Sequence, residues 1–190
     1  MRVIAGEFKG RKLAAPKGPD VRPTADRVKE AIFSMLQPGQ DGAVCLDLFA
    51  GSGALGIEAL SRGASRVYFC DCMPAPLAAL RQNLEACGAV NGARAVVFAA
   101  DWQASLPRIK EKCNIVFIDA PYDMWEHYSK ILEKLACERV LEEDARIVIE
   151  RNVSAGGYLL PAGFERLREK RYGSVGVDLL GYTGPGEGNV

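Results

Sequence analysis

The residues with the clearest chemical potential form the tetrapeptide Asp119-Ala120-Pro121-Tyr122. The carboxylate of Asp119 and the backbone carbonyl of Ala120 are two acceptors, which could hold both hydrogens of an amino group on an aromatic base. Such a nitrogen is a poor nucleophile because its lone pair is delocalised, and two acceptors would orient it for attack. Pro121 would stiffen the turn, and Tyr122 offers a ring for stacking a base. A purely structural proline turn would explain the same residues. The choice between a catalytic and a structural role therefore depends on the elements around the tetrapeptide.

The tetrapeptide follows the fourth of five apolar segments that alternate with helical patterns. This alternation predicts right-handed βαβ units and a doubly wound, mostly parallel α/β sheet. Two more strands around a Gly-Ser turn predict a C-terminal antiparallel hairpin. The predicted strands are 44–49, 66–70, 93–98, 114–118, 145–150, 166–172 and 175–180. The predicted helices between them are 54–62, 74–87, 102–109 and 125–138.

A glycine-rich segment, Gly51-Ser52-Gly53-Ala54-Leu55-Gly56, joins the first predicted strand to its helix. Glycines allow a sharp turn and a close approach to a ligand at the carboxyl end of a strand, where open α/β sheets bind ligands. The spacing also fits the dinucleotide-binding pattern, with Asp71 placed to accept hydrogen bonds from ribose hydroxyls. The segment alone therefore leaves a nicotinamide enzyme, a methyltransferase and a ligand-free turn open.

Two further acids favour a methyltransferase. Asp47, just before the glycines, suits the ammonium of a methionine moiety, directly or through water, and would repel a pyrophosphate. Asp101 could accept from an adenine amino group while Trp102 flanks the ring, although Asp101 is also a candidate N-cap of the next helix. The cofactor predicted from these residues is S-adenosylmethionine. Its predicted binding residues are Asp47, Phe49, Gly51, Gly53, Asp71, Asp101 and Trp102.

The composition predicts a soluble chain with no metal. Its 190 residues are 48% hydrophobic and 25% charged, and no apolar run is long enough for a membrane span or a signal peptide. A cytoplasmic protein is expected. The six cysteines include no C-x-x-C pair, and the lone His127 has no neighbouring ligand set.

The N-terminal segment differs from the rest in charge. The whole chain is balanced, with 24 basic and 24 acidic residues, yet residues 1–30 carry eight basic and four acidic side chains, a local charge of +4. Such a basic segment fits contact with phosphate. Residues 1–15 predict a short β-hairpin, and an apolar stripe after Thr24, its candidate N-cap, predicts a helix that ends before Pro38. The predicted organisation is an extension over 1–40, a catalytic domain over 41–183 and a loose tail over 184–190.

The chain resembles the bacterial methyltransferases that modify the N2 of a guanine in 16S ribosomal RNA. The Arg22-Pro23-Thr24 segment is the most specific part of this resemblance, because in that family it occurs with the same N-terminal hairpin and helix. The residues that carry the resemblance are Arg2–Gly6, Gly10–Leu13, Arg22–Phe33, Asp47–Gly63, the Asp119 tetrapeptide and Tyr172-Gly173. One departure is Ala120, where the family usually has proline, so the φ restriction at this position is lost.

The resemblance implies a Rossmann-like class I methyltransferase fold with a catalytic tetrapeptide and S-adenosylmethionine as cofactor. It also implies an RNA-binding extension in which Arg11, Arg22, Thr24 and Arg27 lie near the substrate. The expected partner is 16S rRNA in a small-subunit assembly particle, with no membrane or metal, and the chain is expected to be a monomer. The alternatives are a DNA adenine-N6 methyltransferase, an NAD-dependent oxidoreductase and a non-catalytic RNA-binding module.

Overall fold

A seven-stranded sheet with the order β3-β2-β1-β4-β5-β7-β6 forms the centre of the molecule. The first five strands are parallel, and β7 is antiparallel to both of its neighbours. The strands are β1 (Val44–Asp47), β2 (Arg66–Asp71), β3 (Ala95–Ala99), β4 (Cys113–Ile118), β5 (Leu141–Asn152), β6 (Phe164–Tyr172) and β7 (Val175–Tyr182). The doubly wound α/β fold with a C-terminal antiparallel hairpin is therefore confirmed.

The computed structural model describes residues 1–15, 26–37, 39–90, 93–154 and 156–184, apart from the side chains of Tyr122 and Asp123. The predicted RNA contacts Arg22 and Thr24, the predicted capping role of Thr24 and most of the predicted tail lie outside these residues. Among the described residues, no helix has the length and apolar composition to cross a membrane.

Helices cover both faces of the sheet. The helices are α1 (Asp26–Met35), α2 (Ala54–Ser61), α3 (Pro74–Ala86), α4 (Trp102–Ser105) and α5 (Tyr128–Cys137), with 3-10 turns at Leu106–Arg108 and Tyr122–His127. Successive residues of a strand pack in two separate hydrophobic cores, one on each face of the sheet. Cys45 of β1 packs against α1, α2 and α3, whereas its neighbour Leu46 packs against α4 and α5. This alternation is the period-2 pattern of a strand that is buried on both faces.

The direction in which successive strands are added to the sheet changes at β1. It builds β2 and β3 on one side of β1 and then returns to place β4 on the other side, so that Asp47 of β1 pairs in register with Phe117 of β4. The loops after β1 and β4 consequently meet at the carboxyl edge of the sheet, hereafter the functional edge. Open α/β sheets bind ligands at such a switch point.

Several predicted boundaries were wrong. The helix expected over 102–109 leaves α-geometry after Ser105, because Pro107 lacks the N–H that another α-helical turn requires. The helix expected over 125–138 begins with the 3-10 turn and becomes α-helical only at Tyr128. Strand β5 is longer than expected at both ends. The N-terminal hairpin does form, through backbone hydrogen bonds that join residues 1–3 to residues 10–13, but its one regular bridge is between Arg2 and Lys12.

Residues 1–15, hereafter the arm, pack directly on the sheet-covering helices. Val3, Phe8 and Leu13 are buried in the same core as α1 and α2. The fully buried side chains of Lys29 (α1) and Glu58 (α2) form an ion pair, with Nζ and Oε2 3.2 Å apart. The arm is attached to this pair, because Glu58 accepts backbone N–H bonds from the arm and Lys29 donates to the carbonyl of Arg2.

Candidate active site

The glycine loop is held in place by the acid at the end of β2. Asp71 Oδ2 accepts from the N–H of Gly51 at 2.8 Å, and Oδ1 accepts from the N–H of Met73 at 2.8 Å. Gly51 has a φ of +55° and nothing within 4 Å of where a Cβ would lie, so the loop presents open space there. Each carboxylate oxygen has a further lone pair, so the half-buried Asp71 can still accept from a ligand hydroxyl.

Asp47, the last residue of β1, is hydrogen-bonded to the end of the same glycine loop. Its side chain is 1% exposed, and Oδ2 accepts from the N–H of Gly56 in the first turn of α2 at 2.9 Å. A carboxylate at the N-terminal end of a helix is favourable for the helix dipole. In this geometry Asp47 fixes the start of α2, and its predicted interaction with an ammonium group stays a prediction.

Three carboxylates converge around the glycine loop. Burial raises the pKa of Asp47 to about 7, against the opposing effect of the Gly56 N–H bond, and the nearby negative charges of Asp119 and Asp71 raise it further. The region therefore favours positive charge, because a cation between these groups would relieve both the desolvation and the repulsion. The three acids come from the ends of β1, β2 and β4, which the sheet order places side by side.

Asp101 and Trp102 follow the next strand, β3. Asp101 is the N-cap of α4, and its Oδ1 accepts from the N–H of Ala104 at 2.8 Å. The capping role that the sequence left open is therefore observed. Among the described residues Oδ2 makes no hydrogen bond, so a second role toward a ligand stays available. Trp102 is 7% exposed, and the half-buried Phe49 packs against the same core.

The tetrapeptide lies directly after β4. Asp119 is half-buried and Ala120 is 2% exposed, so the carboxylate stands at the functional edge while the alanine packs beneath it. Pro121 has φ −49° and ψ 142°, and its carbonyl accepts from the N–H of Met124 at 2.9 Å. This bond closes the 3-10 turn that begins at Tyr122, and the turn fixes the path of the chain away from the strand.

The two predicted RNA contacts that the structure describes lie in different places. Arg27, at the start of α1, is exposed, and its guanidinium lies 6.0 Å from the centre of the Tyr172 ring at the functional edge. Arg11 is also exposed but donates to the carbonyl of Ala86 at 2.5 Å, at the C-terminal end of α3. Because α3 runs back from β2 toward the start of β3, Arg11 lies toward the opposite edge from Asp119.

Sequence reasoning missed two candidate residues. Met73 is 59% exposed two residues beyond Asp71, where an apolar side chain could cover a planar ligand ring. Asn83, 1% exposed, donates to the carbonyl of Ser52 in the glycine loop and is hydrogen-bonded to Ala14 of the arm. The available signal for Asn83 was its position on the apolar stripe of α3, between Leu80 and Leu84.

The strand order, the glycine loop after β1 and the acidic turn after β4 define a Rossmann-like class I methyltransferase fold. A structure of the Escherichia coli protein yhhF superposes with a TM-score of 0.83 at 33% sequence identity, covering 96% of this chain and 98% of that one. An RNA methyltransferase from Salinibacter ruber, solved with S-adenosyl-L-homocysteine, has a TM-score of 0.65 at 14% identity, covering 85% and 94%. At that identity the likeness concerns the fold alone.

The sequence comparisons give the family. The model described as Conserved hypothetical protein 95 matches residues 1–181. The ribosomal RNA small subunit methyltransferase D of Escherichia coli K12 is 37% identical over 192 residues, covering 100% of this chain and 94% of the relative. Its namesake in Haemophilus influenzae is 35% identical over 185 residues, covering 94% and 92%. The chain therefore belongs to this bacterial rRNA methyltransferase family, and the resemblance found from the motifs is confirmed.

Proposed function

We propose that the chain transfers a methyl group from S-adenosylmethionine to the exocyclic N2 amino group of a guanine in 16S ribosomal RNA. The observation that carries the proposal is the position of Asp119 directly after β4, the strand that pairs with β1, so that an acceptor for an amino group adjoins a cation-favouring ligand site. The small-subunit rRNA methyltransferases among the relatives support RNA as the substrate.

The residues around the glycine loop fit this cofactor. When bound, S-adenosylmethionine supplies an electrophilic methyl group on a positively charged sulfur, and it also carries an ammonium group. The acidic surroundings of Asp47, Asp71 and Asp119 match that charge. Asp71 offers its remaining lone pairs to ribose hydroxyls, Met73 and Trp102 provide apolar surface for the adenine, and Asp101 has an acceptor oxygen for the adenine amino group.

The tetrapeptide orients the nucleophile. The carboxylate of Asp119 and the carbonyl of Ala120 accept the two hydrogens of the guanine amino group and aim the nitrogen lone pair at the methyl carbon. A nitrogen–carbon bond forms as the carbon–sulfur bond breaks, the sulfur keeps the electron pair of that bond and leaves as a neutral thioether, and the nitrogen then gives up one proton to Asp119 or to solvent water. The negative charge of Asp119 stabilises the positive charge that develops on the nitrogen in the transition state.

The substrate in this proposal is an assembling small-subunit particle, and the enzyme acts as a monomer without a metal. The exposed Arg27 at the functional edge engages the RNA near the target base, together with Arg22 and Thr24, which closely precede it in the chain. Arg11 makes a more distant contact. Extrusion of the base from its stack would bring the amino group to Asp119.

The proposal is tested with labelled S-adenosylmethionine and small-subunit RNA or particles from cells that lack this activity. Wild-type protein is expected to transfer label to RNA, whereas Asp119→Ala loses transfer by about a hundred- to a thousandfold, a much larger change than the fall in cofactor affinity that removal of one of three nearby acids causes. Glu126→Ala, which removes an exposed acid from the adjacent 3-10 turn, should retain activity. Full activity in Asp119→Ala, or no transfer by the wild type, would refute the assignment.

A further inference from the structure

The C-terminal edge strand, β6, has different electrostatics on its two faces. The pairing of β6 with β7 shows on which face each side chain lies, because residues paired across two strands point to the same face. Arg168 and Lys170 pair with Leu179 and Val177, so they lie on the face that α1 covers. Glu169 and Arg171 pair with Asp178 and Gly176, on the opposite face. Both Arg168 and Lys170 are exposed.

The charges on the opposite face neutralise one another. Arg151 binds both Asp178 and Glu169, at 3.0 and 2.8 Å, and Arg171 also contacts Glu169. Arg166 lies 3.5 Å from the buried carboxylate of Asp178. Among the described residues, by contrast, Arg168 and Lys170 have no acidic partner within ion-pair distance.

The face of Arg168 and Lys170 also carries Glu165, which pairs with Gly181 near the start of β6, and from there it leads to the functional edge. Tyr172 follows Arg168 and Lys170 on the same face at the end of β6, and its ring lies beneath the guanidinium of Arg27. Alternate strand residues are separated by about 7 Å, so Lys170 and Arg168 lie at roughly 7 and 14 Å from Tyr172. Arg27, Lys170 and Arg168 thus form a line of three cations that starts beside the catalytic edge.

We propose that this line, the β6 phosphate track, binds the RNA backbone that flanks the target guanine. The inference rests on the proposed function and extends the RNA-binding surface from the N-terminal extension to the C-terminal hairpin. Lysine and arginine on an edge strand can also serve only to block pairing with another sheet. That role requires charge at the edge but does not require binding of RNA, so a binding experiment separates the two.

The test compares two double variants that remove the same charge. Arg168→Gln/Lys170→Gln neutralises the track, and Lys110→Gln/Lys112→Gln neutralises two exposed lysines that precede β4, at the opposite edge of the sheet. Each full-length protein is titrated with unmodified small-subunit RNA over a range of salt concentrations. Thermal unfolding and cofactor affinity are measured alongside, to verify that the fold and the cofactor site are intact.

The track variant is expected to bind RNA about tenfold more weakly at moderate salt, with its log K against log [salt] slope reduced by about 1.4 to 1.8. Its KM for RNA should rise in parallel, with kcat within about twofold. Equal affinities and slopes for the two double variants would overturn the inference. Because binding is measured without turnover, failure of the wild type to methylate RNA would refute the proposed function separately.

Discussion

Asn83 forms a two-point hydrogen bond with the backbone of Ala14: its Oδ1 accepts from the Ala14 N–H at 2.7 Å, and its Nδ2 donates to the Ala14 carbonyl at 3.0 Å. The same Nδ2 donates to the carbonyl of Ser52 at 2.9 Å. One buried amide therefore connects the end of the arm with the glycine loop, so the two proposed binding regions share a structural support.

Replacement of Asn83 should affect both regions. In Asn83→Ala the Ala14 and Ser52 groups lose their partner, which is expected to cost about 1–3 kcal/mol of unfolding free energy. Cofactor affinity should fall about tenfold, as measured by calorimetry. The matched control is Gln82→Ala, an exposed amide one residue earlier, which should leave both quantities nearly unchanged. Undiminished cofactor affinity in Asn83→Ala would show that the Asn83 amide does not support the glycine loop for cofactor binding.

The raised pKa of Asp47 predicts a pH dependence of stability. With a native pKa of about 7 and an ordinary value of 3.8, the native state retains a proton that the unfolded chain has lost between these values. The contribution of this group to stability is therefore present below about pH 4 and is lost as the pH rises to about 7. In the cofactor-free protein, the unfolding free energy of wild type relative to Asp47→Asn should fall from pH 5 to pH 7 and then level off.

Cofactor binding should show the opposite trend. A bound cation favours the ionised form of Asp47, so the affinity of the wild type for S-adenosylmethionine should increase from about pH 5.5 to pH 7.5, with release of protons on binding. Asp47→Asn should bind more weakly and lose most of this dependence. Calorimetry in buffers of different ionisation enthalpy measures the released protons, and equal pH profiles for the two proteins would contradict the assignment.

The buried ion pair of Lys29 and Glu58 should be essential for docking of the arm. Glu58→Gln leaves the ammonium of Lys29 buried beside a neutral amide, and the loss of one partner from such a pair typically costs about 3–5 kcal/mol. Chemical unfolding measures this loss, and Glu85→Gln, an exposed site on α3, should change stability by less than about 0.5 kcal/mol. A similar small change in both variants would show that the pair is dispensable.

Two glycines of the arm provide a matched pair. Gly6 and Gly10 have φ values of +83° and +84°, but a Cβ on Gly6 would lie 1.7 Å from the carbonyl oxygen of Ser61, whereas a Cβ on Gly10 would meet nothing within 4 Å. Gly10→Ala should therefore cost only the left-handed backbone penalty of about 1–2 kcal/mol. Gly6→Ala should cost at least about 2 kcal/mol more and expose the arm to proteolysis. Equal stability of the two variants would contradict the observed docking.

The sequence predicted the sheet and the position of the glycine loop because apolar runs and glycine spacing directly reflect local structure. It placed β5 too narrowly, at 145–150, because the strand that the structure shows also includes the polar residues Glu142, Glu143 and Asp144, which lie outside the apolar run. At Asp144 a φ of 63° accompanies the shift in register between β4 and β5.

The site was predicted less completely than the fold. Asp47 was identified within a strand end, before the glycines, and Asp71 and Asp101 after strands, but their bonds to backbone N–H groups depend on tertiary geometry. Glu58 could have been noticed as the only charged residue within α2, whereas nothing local distinguishes the partnership of Asn83 with Ala14. The distance of Arg11 from the functional edge also follows from packing, because the arm folds back along α2 and α3.

Methyl transfer to guanine N2 is tested most directly by mass spectrometry of nucleosides from small-subunit RNA after incubation with the protein and S-adenosylmethionine. One new product is expected, N2-methylguanosine, which is absent with Asp119→Ala. Methyl groups found instead on adenine N6, or in DNA and not in RNA, would contradict it.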